Sequence, residues 1–495
     1  MLFNSHGFIF LFLPLVLLGF FWLGQFNHKF AAGWLAAASV FFYSYWNFAY
    51  VSLLILSIGF NFVFGLWIIK AGRAEKQGVK LRLLALAITT NLLLLAYFKY
   101  ANFFINNINV ISSQQVKLQN VILPLGISFY TFTQIAFLVD AYQGKVREYR
   151  FVNYLLFVTY FPHLIAGPIL HHQEMMPQFE KSRTYKLTYE NLSVGITIFV
   201  LGLFKKVVLA DGLAAFVGSA FNVPIDSAGP GFIDAWGGAL AYSFQIYFDF
   251  SGYSDMAIGI SRMFGIQLPL NFFSPYKASS IIEFWRRWHM TLSRFLKSYL
   301  YIPLGGNRKG PFRRYLNLMV TMLLGGFWHG AGWTFIIWGG LHGFYLGINH
   351  LFTENKKKIA YPIFSGLIWE VGSRLLTFLC VTIGWVFFRS DGVHSAMKTL
   401  KSMFYLNGLG SNALELNLWV PWILSSFFIV WFLPSTQEFM ANHKPALDFM
   451  PPVFKKGRPF LTWSPNNYWL GFIFLTFCIC LAMLSGDSPF LYFQF

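Results

Sequence analysis

The stretch VSLLILSIGFNFVFGLWII, Val51 to Ile69, runs directly into KAGRAEKQGVKLR, Lys70 to Arg82, and this pair of segments decides the architecture of the chain. A run of this length without a single charge spans about 28 Å as a helix, close to the roughly 30 Å hydrocarbon core of a bilayer. In lipid its backbone N–H and C=O groups must be satisfied within the segment, which a helix does and an isolated strand does not. The segment that follows holds Lys70, Arg73, Lys76, Lys80 and Arg82 against Glu75 alone. Such an excess of positive charge marks a cytoplasmic loop.

Apolar runs recur at Gly7 to Gly24 and Leu83 to Tyr97 and continue to the C-terminus, and the 495 residues are 56% hydrophobic, 20% aromatic and only 11% charged. This composition lies far outside that of soluble domains. The expected fold is an all-α polytopic membrane protein of about eleven transmembrane helices, with interfacial and re-entrant pieces where the runs are broken. With three spans before Lys70, the N-terminus is expected on the extracytoplasmic side of the membrane. No Lys or Arg precedes Gly7 and no small-residue cleavage site follows the first run at once, so a retained helix is expected there rather than a signal peptide.

The formal charge of +18 sits in short loops between apolar runs, so it reads as topogenic and lipid-facing, and nucleic acid is not an expected partner. Cys380, Cys478 and Cys480 lie in apolar segments, with neither a disulfide pattern nor a zinc spacing. There is no internal repeat or long linker, so residues 1–495 read as one membrane domain. Residues 1–145 are plain spans forming a scaffold, with Asn102 to Asn120 expected outside the cytoplasm. Residues 146–350 are broken by polar residues, Gly and Pro, in FPHLIAGP (Phe161 to Pro168), LFKKVVLAD (Leu203 to Asp211) and FQIYFDFSGYSD (Phe244 to Asp255), and form the expected catalytic core. Residues 351–495 return to plain spans around a loop from about Pro434 to Pro465.

Within that core, GGFWHGAGWTFIIWGGLH, Gly325 to His342, places the imidazole of His329 in an uncharged apolar run. An ionisable side chain there costs about 2.5 to 3.5 kcal/mol to insert and is a functional candidate by default. A membrane histidine can also serve only to hydrogen-bond two helices. Gly325, Gly326, Gly330 and Gly332 around it allow close approach of another backbone or of substrate, and an imidazole suits general-base work.

A second histidine, His289, lies in EFWRRWHMTLSRFLKSYLYIPLGGNRKG, Glu283 to Gly310. Trp285, Trp288, Leu292 and Phe295 fall on one face at helical spacing, with Arg286, Arg294 and Lys297 opposite, which predicts a helix lying at the membrane interface. Arg262 to Arg314 carries ten Lys or Arg against Glu283 alone. These cations, Arg286, Arg287 and Arg294 among them, suit either anionic lipid or the phosphates of a nucleotide-bearing acyl donor. Asp249 and Asp255, with Tyr247, Ser254 and Asn271 nearby, could line a polar tunnel or orient a histidine; ion pairs with Lys205, Lys206 or an Arg are the alternative. His163 and His342 read as structural, and His171 and His172 as loop residues. No metal site is expected, because neither HExxH nor a cysteine cluster occurs. Without GxSxG or a Walker loop the chain offers no nucleophile of its own, and direct base-assisted transfer is the simpler scheme.

A series of motifs carries a wider resemblance. NSHGFIFLFLP (Asn4 to Pro14), YFKYANF (Tyr97 to Phe103), LPLGISFYTF (Leu123 to Phe132), FPHLIAGP, FKKVVLAD, YFDFSGYSDMAIG, EFWRRWHMTLSRFL, YIPLGGNRKG, GGFWHGAGWTFIIWG and the closing FLYFQF together resemble the membrane-bound O-acyltransferase superfamily, in its bacterial polysaccharide O-acetylation branch. The resemblance implies a many-helix bundle around a central tunnel, with the family's histidine at His329, its second motif histidine at His289 and Trp328 in the same motif. It implies acetyl-CoA as acyl donor with no bound cofactor. It also implies a cell-surface glycan as acceptor and a periplasmic SGNH hydrolase-like partner that supplies the missing serine. After FPHLIAGP, alginate-type relatives carry Arg behind the aliphatic pair where this chain has His171 and His172, which weighs against alginate and toward peptidoglycan or another glycan. Two other readings stay open: D-alanyl or lipid acyl transfer on the same fold, and a transporter or flippase whose histidines relay protons. The matched broken helices of a transporter's two halves are not seen.

Overall fold

The computed structural model describes the chain apart from residues 113–114, 120, 147, 149, 223–228, 357–365, 411–412, 448, 450–460, 485–487, 489 and 492–495. Parts of the Asn102 to Asn120 and Pro434 to Pro465 segments, and the last four residues of FLYFQF, therefore lie outside the described residues. Every regular element among the described residues is helical.

The N-terminal third contains α1 (Phe8–Phe26), α2 (His28–Ser44), α3 (Ala49–Arg73) and α4 (Gln77–Ser112). It ends with α5 (Ile127–Tyr142). Short pieces follow: α6 (Phe151–Thr159), α7 (Phe161–Leu164) and α8 (His172–Phe179). The long helices α9 (Tyr189–Phe221) and α10 (Phe232–Met263) pack along one another. Beyond them come α11 (Ile281–Trp285), α12 (Met290–Leu296), α13 (Gly310–His329) and α14 (Trp333–Lys356). The C-terminal part holds α15 (Leu367–Arg389), α16 (Val393–Met403), α17 (Ala413–Phe432), α18 (Thr436–Phe439) and α19 (Asn467–Ala482).

Among the described residues, α1, α3, α4, α9 and α15 are long and apolar enough to cross a membrane on their own composition. Helix α10 is different in kind. From Tyr242 to Met263 nearly every side chain is buried, Ser243, Asp249, Ser254 and Asp255 among them, so its polar groups are enclosed by protein rather than lipid. Large apolar residues such as Trp22, Leu56 and Phe474 instead face outward, as a bilayer-facing surface requires. The broken FPHLIAGP segment is buried from Phe161 to Pro168, which is where irregular backbone is tolerated at membrane depth.

One sequence expectation is corrected. The aromatic spacing of Trp285, Trp288, Leu292 and Phe295 predicts a continuous interfacial helix, but the chain turns between α11 and α12, where His289 adopts a left-handed backbone (φ 42°, ψ 53°). Trp288, Leu292 and Phe295 are buried inside the protein. The regular spacing came from two short helices in series, and an L-residue at positive φ persists only where its surroundings enforce it.

Candidate active site

The two histidines singled out from the sequence meet. Their ring centroids are 6.4 Å apart at an interplanar angle of 58°, and both side chains are buried. His289 is fixed by Asn271. The Asn271 Oδ1 accepts from the Thr291 backbone N–H at 3.4 Å and from the Thr291 hydroxyl at 2.9 Å. Because a backbone N–H can only donate, that atom is the amide oxygen, and the His289 Nδ1 at 3.0 Å must carry its proton toward it. Nε2 is then the acceptor nitrogen of the ring. The Asn271 Nδ2 donates to Ser254 Oγ on α10 at 3.2 Å, and Ile169 N–H donates to Thr291 Oγ1 at 3.0 Å. This connected polar chain enforces the left-handed turn at His289.

His329 is the last residue of α13 and sits among aromatic rings. Trp328 lies 5.0 Å away, Trp338 5.1 Å and Phe388 5.3 Å, all edge-on. The Trp328 ring stacks on Phe132 at 5.1 Å, which in turn stacks on Phe295 at 4.3 Å. Helices α13 and α14 approach so closely that a Cβ on Gly326 would collide with the Phe335 carbonyl. Small residues are therefore required for α14 to bring Trp338 against His329.

The end of α13 is held by a segment to which the sequence reading assigned no role. A helix leaves its last carbonyls without intrahelical donors. The Lys99 ammonium donates to the Trp328 carbonyl at 2.7 Å and the His329 carbonyl at 2.9 Å, and the Tyr100 hydroxyl donates to the Phe327 carbonyl at 2.9 Å. Both come from a π-helical turn of α4, Ala96–Tyr100, the kind of local widening often found at functional sites. A cation at a helix C-terminus also meets the negative end of its dipole. The signal was present in YFKYANF: a lone lysine in an apolar run is as costly there as His329.

The other sequence-predicted residues fall in separate places. Trp285 donates its Nε1–H to His342 Nδ1 at 3.3 Å and packs on Trp338, while Trp288 is stacked on Phe284 and leans on Trp385. These rings form a layer behind the histidines. Arg286 is exposed. Arg287 is paired with Glu283 at 2.6 Å and Arg294 with Glu174 at 2.6 Å. Asp249 is bound to Lys206 at 2.8 Å and accepts from Leu491 N–H at 3.0 Å. Asp255 binds Lys205 and the Thr436 hydroxyl, each at 2.7 Å, and the Gln437 amide at 2.6 Å. Of the alternatives for the two aspartates, the ion pairs with Lys205 and Lys206 are the contacts formed. His163 bonds the Phe157 carbonyl at 2.9 Å. His171 lies 2.8 Å from the Tyr299 hydroxyl and His172 lies 3.4 Å from Glu148. Among the described residues no cluster of His, Cys, Asp or Glu could hold a metal ion.

Geometrically, then, a neutral hydrogen-bond network and an aromatic box bring two imidazoles together away from water, an arrangement suited to moving one proton in a low-dielectric setting. The model of the family described as MBOAT, membrane-bound O-acyltransferase, matches residues 77–386. A peptidoglycan O-acetyltransferase of Helicobacter pylori is 47% identical over 436 residues, covering 83% of this chain and 81% of its own length. A probable alginate O-acetylase of Pseudomonas putida is 39% identical across the full length of both chains. A teichoic acid D-alanyltransferase of Streptococcus thermophilus is 29% identical over 49% of this chain.

Proposed function

The chain belongs to the membrane-bound O-acyltransferase family, and from that premise we propose that it moves an acetyl group from cytoplasmic acetyl-CoA toward a cell-surface glycan. As a member of that family it is an acyltransferase, and the reading as a transporter without chemistry is set aside. Acetyl, rather than D-alanyl, is supported by the names of relatives at 39 to 47% identity against 29% for the D-alanyltransferase. Peptidoglycan is the first acceptor to test, given the 47% relative and the His171–His172 departure from the alginate-type pattern. The chain works in the inner membrane with its N-terminus outside, and a periplasmic SGNH-type protein completes delivery to the glycan.

The observation that carries this reading is the buried His289–His329 pair, 6.4 Å apart. In the proposed step an acceptor hydroxyl oxygen bonds to the thioester carbonyl carbon, its proton passes to the His329 imidazole, the carbon–sulfur bond breaks, and the proton returns to the leaving thiolate. His289, held through Nδ1 by Asn271, directs Nε2 toward the reacting groups. Of Arg286, Arg287 and Arg294, Arg286 is exposed on its turn and is the one open to donor phosphates, since Arg287 and Arg294 are committed to carboxylates.

The test is purified protein with labelled acetyl-CoA, supported by glycan-bound acetate in cells. His329→Ala at normal protein level is expected to lower transfer by roughly 100- to 10,000-fold, the usual worth of a general base. Full O-acetylation in that variant would remove His329 from the chemistry, and no acetyl-CoA consumption with or without the partner would remove the donor.

A further inference from the structure

On the face of the bundle where α10 ends, the guanidinium of Arg262 is in an unusual position. The residue is only 9% exposed. Its nearest carboxylate, Glu190, is 3.8 Å away, beyond hydrogen-bond distance, and Glu190 is itself 65% exposed. The buried Nε has no hydrogen-bond partner. Arginine carries five donors and cannot shed its proton, and leaving even one of them buried and unbonded is costly.

Arg262 lines a cavity of about 390 Å³ together with Arg183, Lys444, Gln178, Asn191 and Gln267. The surrounding segments are tied into one frame. Gln178 Nε2 donates to the Gln267 carbonyl at 2.9 Å, Gln267 N–H donates back to Gln178 Oε1 at 2.9 Å, and Gln267 Nε2 donates to the Lys444 carbonyl at 3.2 Å. Three cations therefore face this cavity against the single carboxylate of Glu190.

Glu190 also lines a second cavity, an apolar groove of about 670 Å³ between α9 and α19, walled by Leu192, Ile196, Trp463, Trp469, Leu470 and Ile473. Leu470 and Ile196 belong to the outward, bilayer-facing surface. Tryptophans beside an apolar groove, with cations at its end, form the pattern of an interfacial lipid seat.

From this continuity we infer that the two cavities bind one anionic phospholipid. Its phosphodiester bonds Arg262, with Arg183 and Lys444 beside it, and an acyl chain lies in the α9–α19 groove. The ligand chemistry is a phosphate, and the apolar groove selects the lipid over a soluble phosphate. This site does not depend on the acyl-transfer reading, and no residue of it belongs to the histidine site.

The experiment is native mass spectrometry of the delipidated full-length protein titrated with phosphatidylglycerol or with phosphatidylcholine of the same chains. One phosphatidylglycerol is expected to bind on the order of tenfold more tightly, the worth of a charge-assisted phosphate contact. Arg262→Gln should erase the preference. Lys444→Gln and Arg183→Gln, both at exposed positions, should each reduce it and guard against misfolding of the buried variant. His329→Ala should leave it intact. Equal binding of the two lipids, or unchanged preference in all three cation variants, would overturn the assignment. So would Arg262-dependent binding of inorganic phosphate or CoA that displaces the lipid, which would give the cavity to a soluble ligand.

Discussion

Replacing Lys99 with methionine is the sharpest probe of how the site is held. The ammonium makes two charge-assisted hydrogen bonds, 2.7 and 2.9 Å, to the carbonyls of Trp328 and His329. Each is worth about 1.5 to 3 kcal/mol, and a buried carbonyl left without a donor costs roughly 1 to 3 kcal/mol. Loss of the pair therefore withdraws on the order of 3 to 6 kcal/mol from the last turn of α13. Tyr100 still holds the Phe327 carbonyl one residue earlier, so the helix frays from Trp328 onward instead of unwinding. A displacement of about 1 Å at a catalytic group costs some 100-fold in rate. Lys99→Met is expected to lose activity on that scale while the protein still inserts and purifies. Lys99→Arg, which keeps two donors and the charge, is expected to recover most of it. The assay is glycan-bound acetate per unit of immunoblotted protein, with tryptophan fluorescence to follow thermal unfolding of the purified variants. Lys99→Met at more than half of normal activity with an unchanged melting curve would refute the idea that this cap positions His329. Failure of Arg with an unchanged melting curve would point to chemistry by the lysine itself.

Three further outcomes follow from the same geometry. Asn271→Leu removes the acceptor of His289 Nδ1 and should cost about 100-fold in activity, whereas Asn271→Asp, which keeps an acceptor for His289 and Thr291, should retain more; equal activities would show that His289 is oriented by something else. Gly326→Ala forces a methyl against the Phe335 carbonyl and should destabilise the α13–α14 pair by about 1 to 3 kcal/mol, read as a lower melting temperature, which an unchanged value would contradict. In the first turn of α11, burial alone would raise the Glu283 carboxyl, but the Ser279 N–H and hydroxyl and the Arg287 guanidinium outweigh it and hold it below its ordinary value. Its contribution is thus present above the unfolded carboxylate pKa of about 4.3 and disappears as pH falls through the lower folded value. Glu283→Gln should therefore lower the melting temperature at pH 7 by an amount that shrinks below about pH 4, and a pH-independent difference would argue against the ion pair.

What the sequence determined was set by composition and local pattern. Charge-free runs of membrane length force helices, because lipid offers the backbone no other donor or acceptor. The cost of a titratable group in such a run marked His329, and the same argument applied to Tyr97–Phe103 would have marked Lys99. Tertiary structure decided which groups face one another. Lys99 and His329 are 230 positions apart in the chain, and helical periodicity within either segment says nothing about that meeting. The same holds for Asn271 opposite His289, and for Asp249 and Asp255 against Lys206 and Lys205. The alternating Trp and Arg of Glu283–Phe295 looked like one amphipathic helix, since spacing alone cannot reveal a left-handed residue. Only the buried Asn271–Thr291 network, assembled from α10, the irregular segment after it and α12, makes that turn the favourable conformation.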